Sequence, residues 1–385
     1  MLSLKQTDRK KNVPNIKATF DAATLADAVQ KASRVAPVKG AAYDKAQGLY
    51  FSAAPGAEWA TVKSTNLDTS YLQHIRHTGT PPAPGYDWRI PSAMLNGLVS
   101  SFPMSQGATV AFIDTGDGAI RIVSGNTKVR LSLITGDFPL VEDYDNSSMG
   151  EAHDFAQRVS QVAWACDKAS NLALSGIHID GESLIACDSK VAAIVPCQVP
   201  VTHPVTAPLW SVTSLLKSAS DVRLEAKDKE LRISLDQESK MTSRLIEQPY
   251  PDVKALIRDN FTGVAKLPRS QVVDSIGRLL VVAHTERLPT MKMSFMSGFA
   301  KRLVLDLEVP EKGRIQDEVL INGDFDEDFS IWFTPTDVVN ALENAKADEV
   351  DFHFGHEERE KASLKECVVK NQSGYMAMIM PRQPS

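Results

Sequence analysis

Cys166, His178, Cys187 and Asp188 stand close together in the chain, and these residue types can activate a thiol or hold a metal ion. Either chemistry needs convergence in space: a base within reach of the thiol, or several ligands around one point. The local pattern argues against both. Cys166 falls on the apolar stripe of a helical window, and His178 alternates within strand text. Cys166, Cys187, Cys197 and Cys367 form no CxxC pair and have no His at finger spacing. HExxH, GxSxG and a Gly-rich phosphate loop are absent from the sequence. No catalytic residue, metal site or cofactor is therefore assigned, and the cysteines are expected to be reduced and mostly buried. A Cys- and His-dependent enzyme is the weakest alternative.

Cationic side chains offer a different chemistry, the nonspecific attraction of phosphate. Three windows, "TLADAVQKASRVA", "DFAQRVSQVAWAC" and "QVVDSIGRLLVVA", place apolar residues at the same steps. The sets are Leu25, Val29, Ala32 and Ala36; Phe155, Val159, Val162 and Cys166; Val272, Ile276, Leu279 and Ala283. At about 100° per residue each set is one stripe, which predicts an amphipathic helix laid on a core. The residue six positions after the start of each stripe lies about 240° round the helix. Lys31, Gln161 and Arg278 are thus expected at equivalent solvent-facing sites, and the position nine on holds Arg34, Trp164 and Val281. Asp27 and Asp274 share that outer face, so ordinary solubilising charge is the competing explanation.

The elements that must position these residues repeat. A second helix type, opened by a Pro near its first turn, recurs as "PSAMLNGLVSSF", "PLWSVTSLLKSA" and "PTDVVNALENAK", each with a Leu seven residues after the Pro. Alternating strand text follows each one: "TVAF", "DVRLEA" and "EVDFHF". The segments "IRIVSGNTKVRLSLITGDFP" and "LRISLDQESKMTSRLIEQPYP" then run in parallel, and a third copy extends from "VDFHF" to "YMAMIMP". An aromatic-Pro pair closes the first two, as Pro can where no ladder N–H is needed. The expected architecture is α+β: three modules, each with two helices packed on antiparallel sheets. Their ranges are residues 1–148, with a tail at 1–15, then 149–260 and 261–385. "HTGTPPAPGYDW", residues 77 to 88, is expected to be loop.

Composition agrees with this organisation. The 385 residues are 43% hydrophobic and 23% charged, which suits about two or three globular domains. No apolar run reaches the roughly 20 residues needed to cross a bilayer, and the start lacks the apolar stretch of a signal peptide, so a cytoplasmic protein without a membrane partner is expected. A formal net charge of −6 excludes a uniformly basic surface, and any contact with nucleic acid must use segregated charge.

In order and spacing, "GIHIDGESLIACDSKVAAIV", "LIEQPYPDVKALI", "INGDFDEDFSIWFTPTDVVNAL" and the terminal "YMAMIMPRQ" resemble the bacterial sliding clamp, the beta subunit of the replicative DNA polymerase, over nearly the whole chain. Where that family has Gly-His-Arg, this chain has Ser189, Lys190 and Val191, and a short "RQPS" follows the last Met-Pro, which marks a divergent member of bacterial or phage origin. The resemblance implies a head-to-tail homodimer, a ring of six modules around duplex DNA with helices lining the hole. It implies binding to double-stranded DNA through Lys31, Arg34, Lys39, Lys168, Lys217 and Arg278, held by topology and without sequence preference. It implies an apolar cleft for peptides of the replicative polymerase, the clamp loader and other partners, built from Leu174, Cys187, Val191, Pro251, Leu256, Met378, Met380 and Pro381. Methionine suits a surface that accepts several partners. Val281 and Val282 would lie at the dimer seam. An oligomeric scaffold that does not encircle DNA is the alternative from another class.

Overall fold

Asp21 opens the first helix by accepting the Thr24 backbone N–H at 2.9 Å, which satisfies one of the donors a helix start leaves free. The helix α1 (Ala22–Val35) buries Leu25, Ala28, Val29, Ala32 and Val35 on one face and stops just ahead of Pro37. The computed structural model describes residues 17–37, 41–147, 149–167, 172–215, 221–258, 260–284, 289–356 and 365–383. The expected tail lies outside them.

A single order of elements then recurs three times. The first copy runs β1 (Lys17–Asp21), α1, β2 (Leu49–Ala53), β3 (Trp59–Thr65), β4 (Thr69–Arg76), β5 (Tyr86–Ile90), α2 (Ser92–Ser100), β6 (Thr109–Asp114), β7 (Ala119–Ser124) and β8 (Thr127–Ser132). The second runs β9 (Gly150–Ala152), α3 (Phe155–Val162), β10 (Gly176–Ile179), β11 (Ser183–Cys187), β12 (Val191–Pro196), β13 (Val205–Pro208), α4 (Leu209–Leu215), β14 (Val222–Lys227), β15 (Glu230–Ser234) and β16 (Ser239–Arg244). After a short helix, α5 (Val253–Leu256), the third runs β17 (Gly263–Pro268), α6 (Arg269–Val282), β18 (Met291–Met296), β19 (Arg302–Val309), β20 (Gly313–Leu320), an added β21 (Asn322–Asp324), β22 (Phe329–Phe333), α7 (Pro335–Asn344), β23 (Glu349–Phe354), β24 (Cys367–Lys370) and β25 (Met376–Ile379).

These elements gather into two compact units, one of described residues up to 147 together with Arg232–Ser243, the other of the remainder. In the first unit, β1-β6-β7-β8 form one sheet, β5-β2-β3-β4 a second, and β16 pairs with β4. Its core joins α1 to an aromatic cluster in which Phe112 lies 5.6 Å from Phe20 and 5.5 Å from Phe51. In the second unit, nine strands run β13-β10-β11-β12-β25-β24-β23-β17-β21, and β20-β19-β18-β22 form another sheet. Phe295 packs between Phe352 and Phe354 at 5.4 and 4.1 Å, under α6 with its buried Val272, Ile276 and Leu279. Strands β2, β6 and β19 alternate buried and open residues, as strands with one face on a core require, whereas β11 and β12 are buried on both faces.

Three expectations needed correction. Residues 86 to 88 are strand, because Tyr86 and Trp88 alternate inward and stack at 3.8 Å. The α3 helix is short: after Val162 it tightens into a 3₁₀ turn, Ala163–Ala165, so Cys166 reaches the core from outside the helix. The proline-led helices align by their caps, not by their prolines. Pro91 is the N-cap of α2, whereas Thr334 caps α7 and Pro335 is its first residue, so Leu342 is equivalent to Val99 and not to Leu98.

Replacing Asp21 by Ala should cost about 1 kcal/mol in urea unfolding. The Thr24 N–H holds the Asp21 carboxyl below its ordinary value, so this stabilisation is present at neutral pH and lost on acidification through the folded value. The gap between wild type and Asp21→Ala should narrow accordingly.

Candidate functional site

Strand alternation brings one apolar surface together in the second unit. Ile185 and Cys187 of β11, Ala192 and Ile194 of β12, and Met378 of β25 share a face with Val368 of β24 and Val253 of α5. The register sets the match, with Ala192 opposite Met378 and Ile194 opposite Met376. Leu174, Tyr250, Ile257, Phe261 and Met376 pack against this cluster while remaining half-buried, which leaves an apolar surface open to a partner.

Local chemistry explains why the walls stand where they do. Asp180 accepts the backbone N–H of Ser183 at 2.8 Å and of Glu182 at 3.0 Å in the turn before β11, and its other oxygen lies 2.7 Å from the Lys254 ammonium. That pair ties α5 to the sheet and so seats Val253. Burial would raise the Asp180 carboxyl, but Lys254 and the two N–H donors outweigh it and hold the group down at about 2. Asp188 closes the next turn in the same way, accepting from the N–H of Lys190 and Val191. Tyr250 stacks on His178 at 4.6 Å and 5°, and its buried hydroxyl lies against the Cys187 thiol outside hydrogen-bond geometry.

Of the expected cleft residues, the structure brings together Leu174, Cys187 and Met378. Val191 is buried but has the opposite parity from Ala192 and Ile194, so its side chain belongs to the other face of β12. Pro251 and Leu256 are exposed, and Val253 and Ile257 take the inward places. Met380 and Pro381 are half-buried beyond the end of β25, where the Met380 N–H bonds the Lys190 carbonyl at 2.8 Å. Alternation from Cys187 back to Ile185, and from Met378 back to Met376, was the signal that would have found the missing members.

The first unit carries a polar counterpart of this surface. Phe138 stacks on Tyr50 at 5.2 Å and 9°, as Tyr250 does on His178, but Lys63 stands where the second unit has Ile185. Lys240 likewise replaces Met376. Lys63 donates to the Val141 carbonyl at 2.9 Å, and Lys240 to Asp143 at 2.6 Å, so both ammonium groups are spent on the segment that crosses the strands.

The helix cations depart from expectation. Lys31 is 8% exposed, with its ammonium 2.8 Å from Asp27 and 4.0 Å from Asp236, and Gln161 is 2% exposed, donating to the Asn344 carbonyl at 3.0 Å. The position expected to face solvent instead faces the next part of the fold, because the helix is covered on two sides. Arg278 is exposed and paired with Asp317, and Arg34 is exposed. Lys39, Lys168 and Lys217 lie outside the described residues. Val281 is 71% exposed and Val282 half-buried.

The thiol alternative loses its geometry. Burial pushes the Cys187 thiol up, away from the thiolate a nucleophile needs. Cys166 donates to the Gly176 carbonyl at 3.4 Å, and His178 is engaged by Thr206 at 3.0 Å and by Tyr250. Among the described residues no group of His, Cys, Asp and Glu is placed to hold a metal, and no helix is long and apolar enough to cross a membrane.

Asp180→Asn should lower stability at pH 7 and loosen α5. A depressed carboxyl contributes above its ordinary value and loses that contribution as pH falls toward 2. Urea midpoints of variant and wild type should therefore differ at pH 7 and converge near pH 2.5.

No protein-family model matches the sequence. Two curated relatives are named beta sliding clamp. That of Synechococcus elongatus is 21% identical over 277 residues, 66% of this chain and 70% of its own length. That of Rickettsia bellii is 22% identical over 321 residues, covering 76% and 82%. Among solved structures, the DNA polymerase III beta subunit of Thermotoga maritima superposes with a TM-score of 0.82 at 20% identity, covering 96% of this chain and all of the other. The sliding clamp of Bacillus subtilis gives 0.83 at 17% with the same coverage. The chain thus has the fold of the DNA polymerase III beta subunit and is similar in sequence, at 21–22% identity, to proteins named beta sliding clamp.

Proposed function

We propose that this protein is a DNA sliding clamp, a non-catalytic ring that encircles duplex DNA and tethers a replicative polymerase and other partners through the apolar surface of its second unit. The observation that carries the proposal is an unfinished repeat. Edge strand β4 is covered by β16, and its equivalent β12 is covered by β25. The third equivalent, β20, ends its sheet, as does β8, the equivalent of β16 and β25. A long open edge invites pairing with another chain. Two copies joined β20 to β8 both ways leave neither of these two edges open and make a closed head-to-tail dimer of six modules, with the three modules of each chain as given above.

Within that ring, Arg34, Lys39, Lys168, Lys217 and Arg278 would meet phosphate, while Lys31 serves structure. Weak, salt-sensitive contact suits a clamp that slides and is retained by topology, so a net charge of −6 is compatible with it. The exposed Val281 and Val282 would sit at the seam. A cytoplasmic location fits this role.

On nicked circular plasmid, after loading by a compatible loader, the protein should remain bound, and linearising the plasmid should release it. Equal retention on both forms refutes encirclement. Lys31→Met should leave retention unchanged, whereas reversing Lys39, Lys168 and Lys217 together to Glu should shorten it at low salt.

Leu174 and Met376 border the peptide surface as half-buried side chains, Leu174 outside the β12–β25 ladder and Met376 at its end, opposite Ile194. Changing both to Glu should reduce affinity for an apolar clamp-binding peptide at least tenfold in a fluorescence titration, with the mass in light scattering unaltered. Unchanged affinity would remove the surface from consideration as the peptide site.

A further inference from the structure

The apolar surface of the second unit ends in a charged corner. Resting on the proposed peptide surface, we infer that Arg382 and Lys190 select partners whose apolar anchors are flanked by an acidic side chain, Asp or Glu.

The corner is built by the ends of separate elements. Asp188 and Lys190 stand in the turn between β11 and β12, directly after Cys187 of the apolar cluster. The chain beyond β25 is tied down twice. The Met380 N–H bonds the Lys190 carbonyl at 2.8 Å, and the Arg382 N–H bonds the Trp332 carbonyl of β22 at 2.7 Å. Asp337, in the first turn of α7, lies within electrostatic reach of Asp188, Lys190 and Arg382, so the four charged groups converge. Lys190 belongs to the Ser189–Val191 stretch and Arg382 to the terminal "RQPS", two places where the chain departs from the family pattern.

These four groups are unequally satisfied, and that decides the sign of the ligand. Asp188 already accepts two backbone N–H groups, at 2.6 Å and 2.8 Å. Asp337 has the N-terminal dipoles of α7 and the Thr334 hydroxyl beside it. Burial and the neighbouring Asp188 push its carboxyl up, and Lys190 and Arg382 pull it back down. The cations lack acceptors. Lys190 is exposed, and Arg382 is half-buried, with Nη1 shut off from solvent and without a hydrogen-bond partner among the described residues. Such a donor is costly to leave unpaired. An incoming carboxylate would supply the acceptor, engage the guanidinium fork and share the Lys190 ammonium. An incoming cation would be repelled by both and would find the carboxylates already served. Met378 and Met380 precede Arg382 in the same segment, so the carboxylate belongs to a residue adjoining the apolar anchors of the bound peptide.

The test uses short fluorescent peptides, acetylated and amidated to remove terminal charge. Each carries Leu and Phe anchors, with one flanking position at a time as Glu or as its neutral isostere Gln. With the full chain at low salt, the best Glu peptide should bind about tenfold more tightly than its Gln twin, the worth of a charge-assisted hydrogen bond. Arg382→Gln combined with Lys190→Gln should abolish that advantage and leave affinity for the Gln peptide unchanged, which a damaged fold would not. Arg382→Lys should keep only part of it, since an ammonium retains the charge and loses the fork. Added salt should shrink the advantage. Equal binding of every Glu and Gln pair, with apolar affinity intact, overturns the acidic preference and spares the cleft. An advantage that survives the double substitution overturns the roles of Arg382 and Lys190. Absence of binding by all the peptides removes the cleft itself, and this inference with it.

Discussion

Edge strands govern this protein. A β-strand with an unmatched row of N–H and C=O groups must be paired, covered or blunted. The chain uses pairing twice, β16 on β4 and β25 on β12, and each pairing joins strands from two different repeats with its register fixed by an apolar face. Slipping one of these ladders by a residue would turn Met378 away from Ala192 and dissolve the apolar surface at Cys187 and Ile194. The apolar surface, its first-unit counterpart and the open edges of β20 and β8 are three outcomes of the same junction.

What distinguishes the junctions is side-chain chemistry on a shared backbone. In the second unit Ile185 and Met376 leave an apolar surface with a half-buried rim. In the first, Lys63 and Lys240 replace them, and both ammonium groups bond the crossing segment, with Tyr144 adding hydrogen bonds to the Ile233 and Met241 carbonyls. A lysine here satisfies backbone acceptors and removes the surface that an apolar peptide would desolvate. One repeat can therefore be a binding site and its neighbour a structural joint without any change of fold.

The first helices show the same economy. Lys31, Gln161 and Arg278 occupy one position in three repeats, and each reaches a group beyond its own helix: Asp236, the Asn344 carbonyl and Asp317. Trp164, three residues after Gln161, lies beside Tyr375 just before β25. The amphipathic stripe faces the core, and the neighbouring flank faces a junction, which leaves less of each helix for solvent or DNA than a single stripe suggests.

The sequence alone determined most of the secondary structure and the repeat, because apolar periodicity and Pro placement are local properties: the stripes at Leu25, Phe155 and Val272 all proved buried, and the hairpin text after each second helix became β7–β8, β15–β16 and β24–β25. It also placed Cys187, Met378 and Leu174 in one surface, through resemblance more than through spacing. Tertiary structure decided the rest. Whether Lys31 meets water or Asp236 depends on a segment some two hundred positions away. Whether Val191 or Ile194 lines the cleft depends on the parity of a ladder to β25, and the strand at Tyr86 depends on an inward aromatic stack in a Pro-rich stretch. Helical phase gives a direction relative to one axis, and only packing says what stands in that direction.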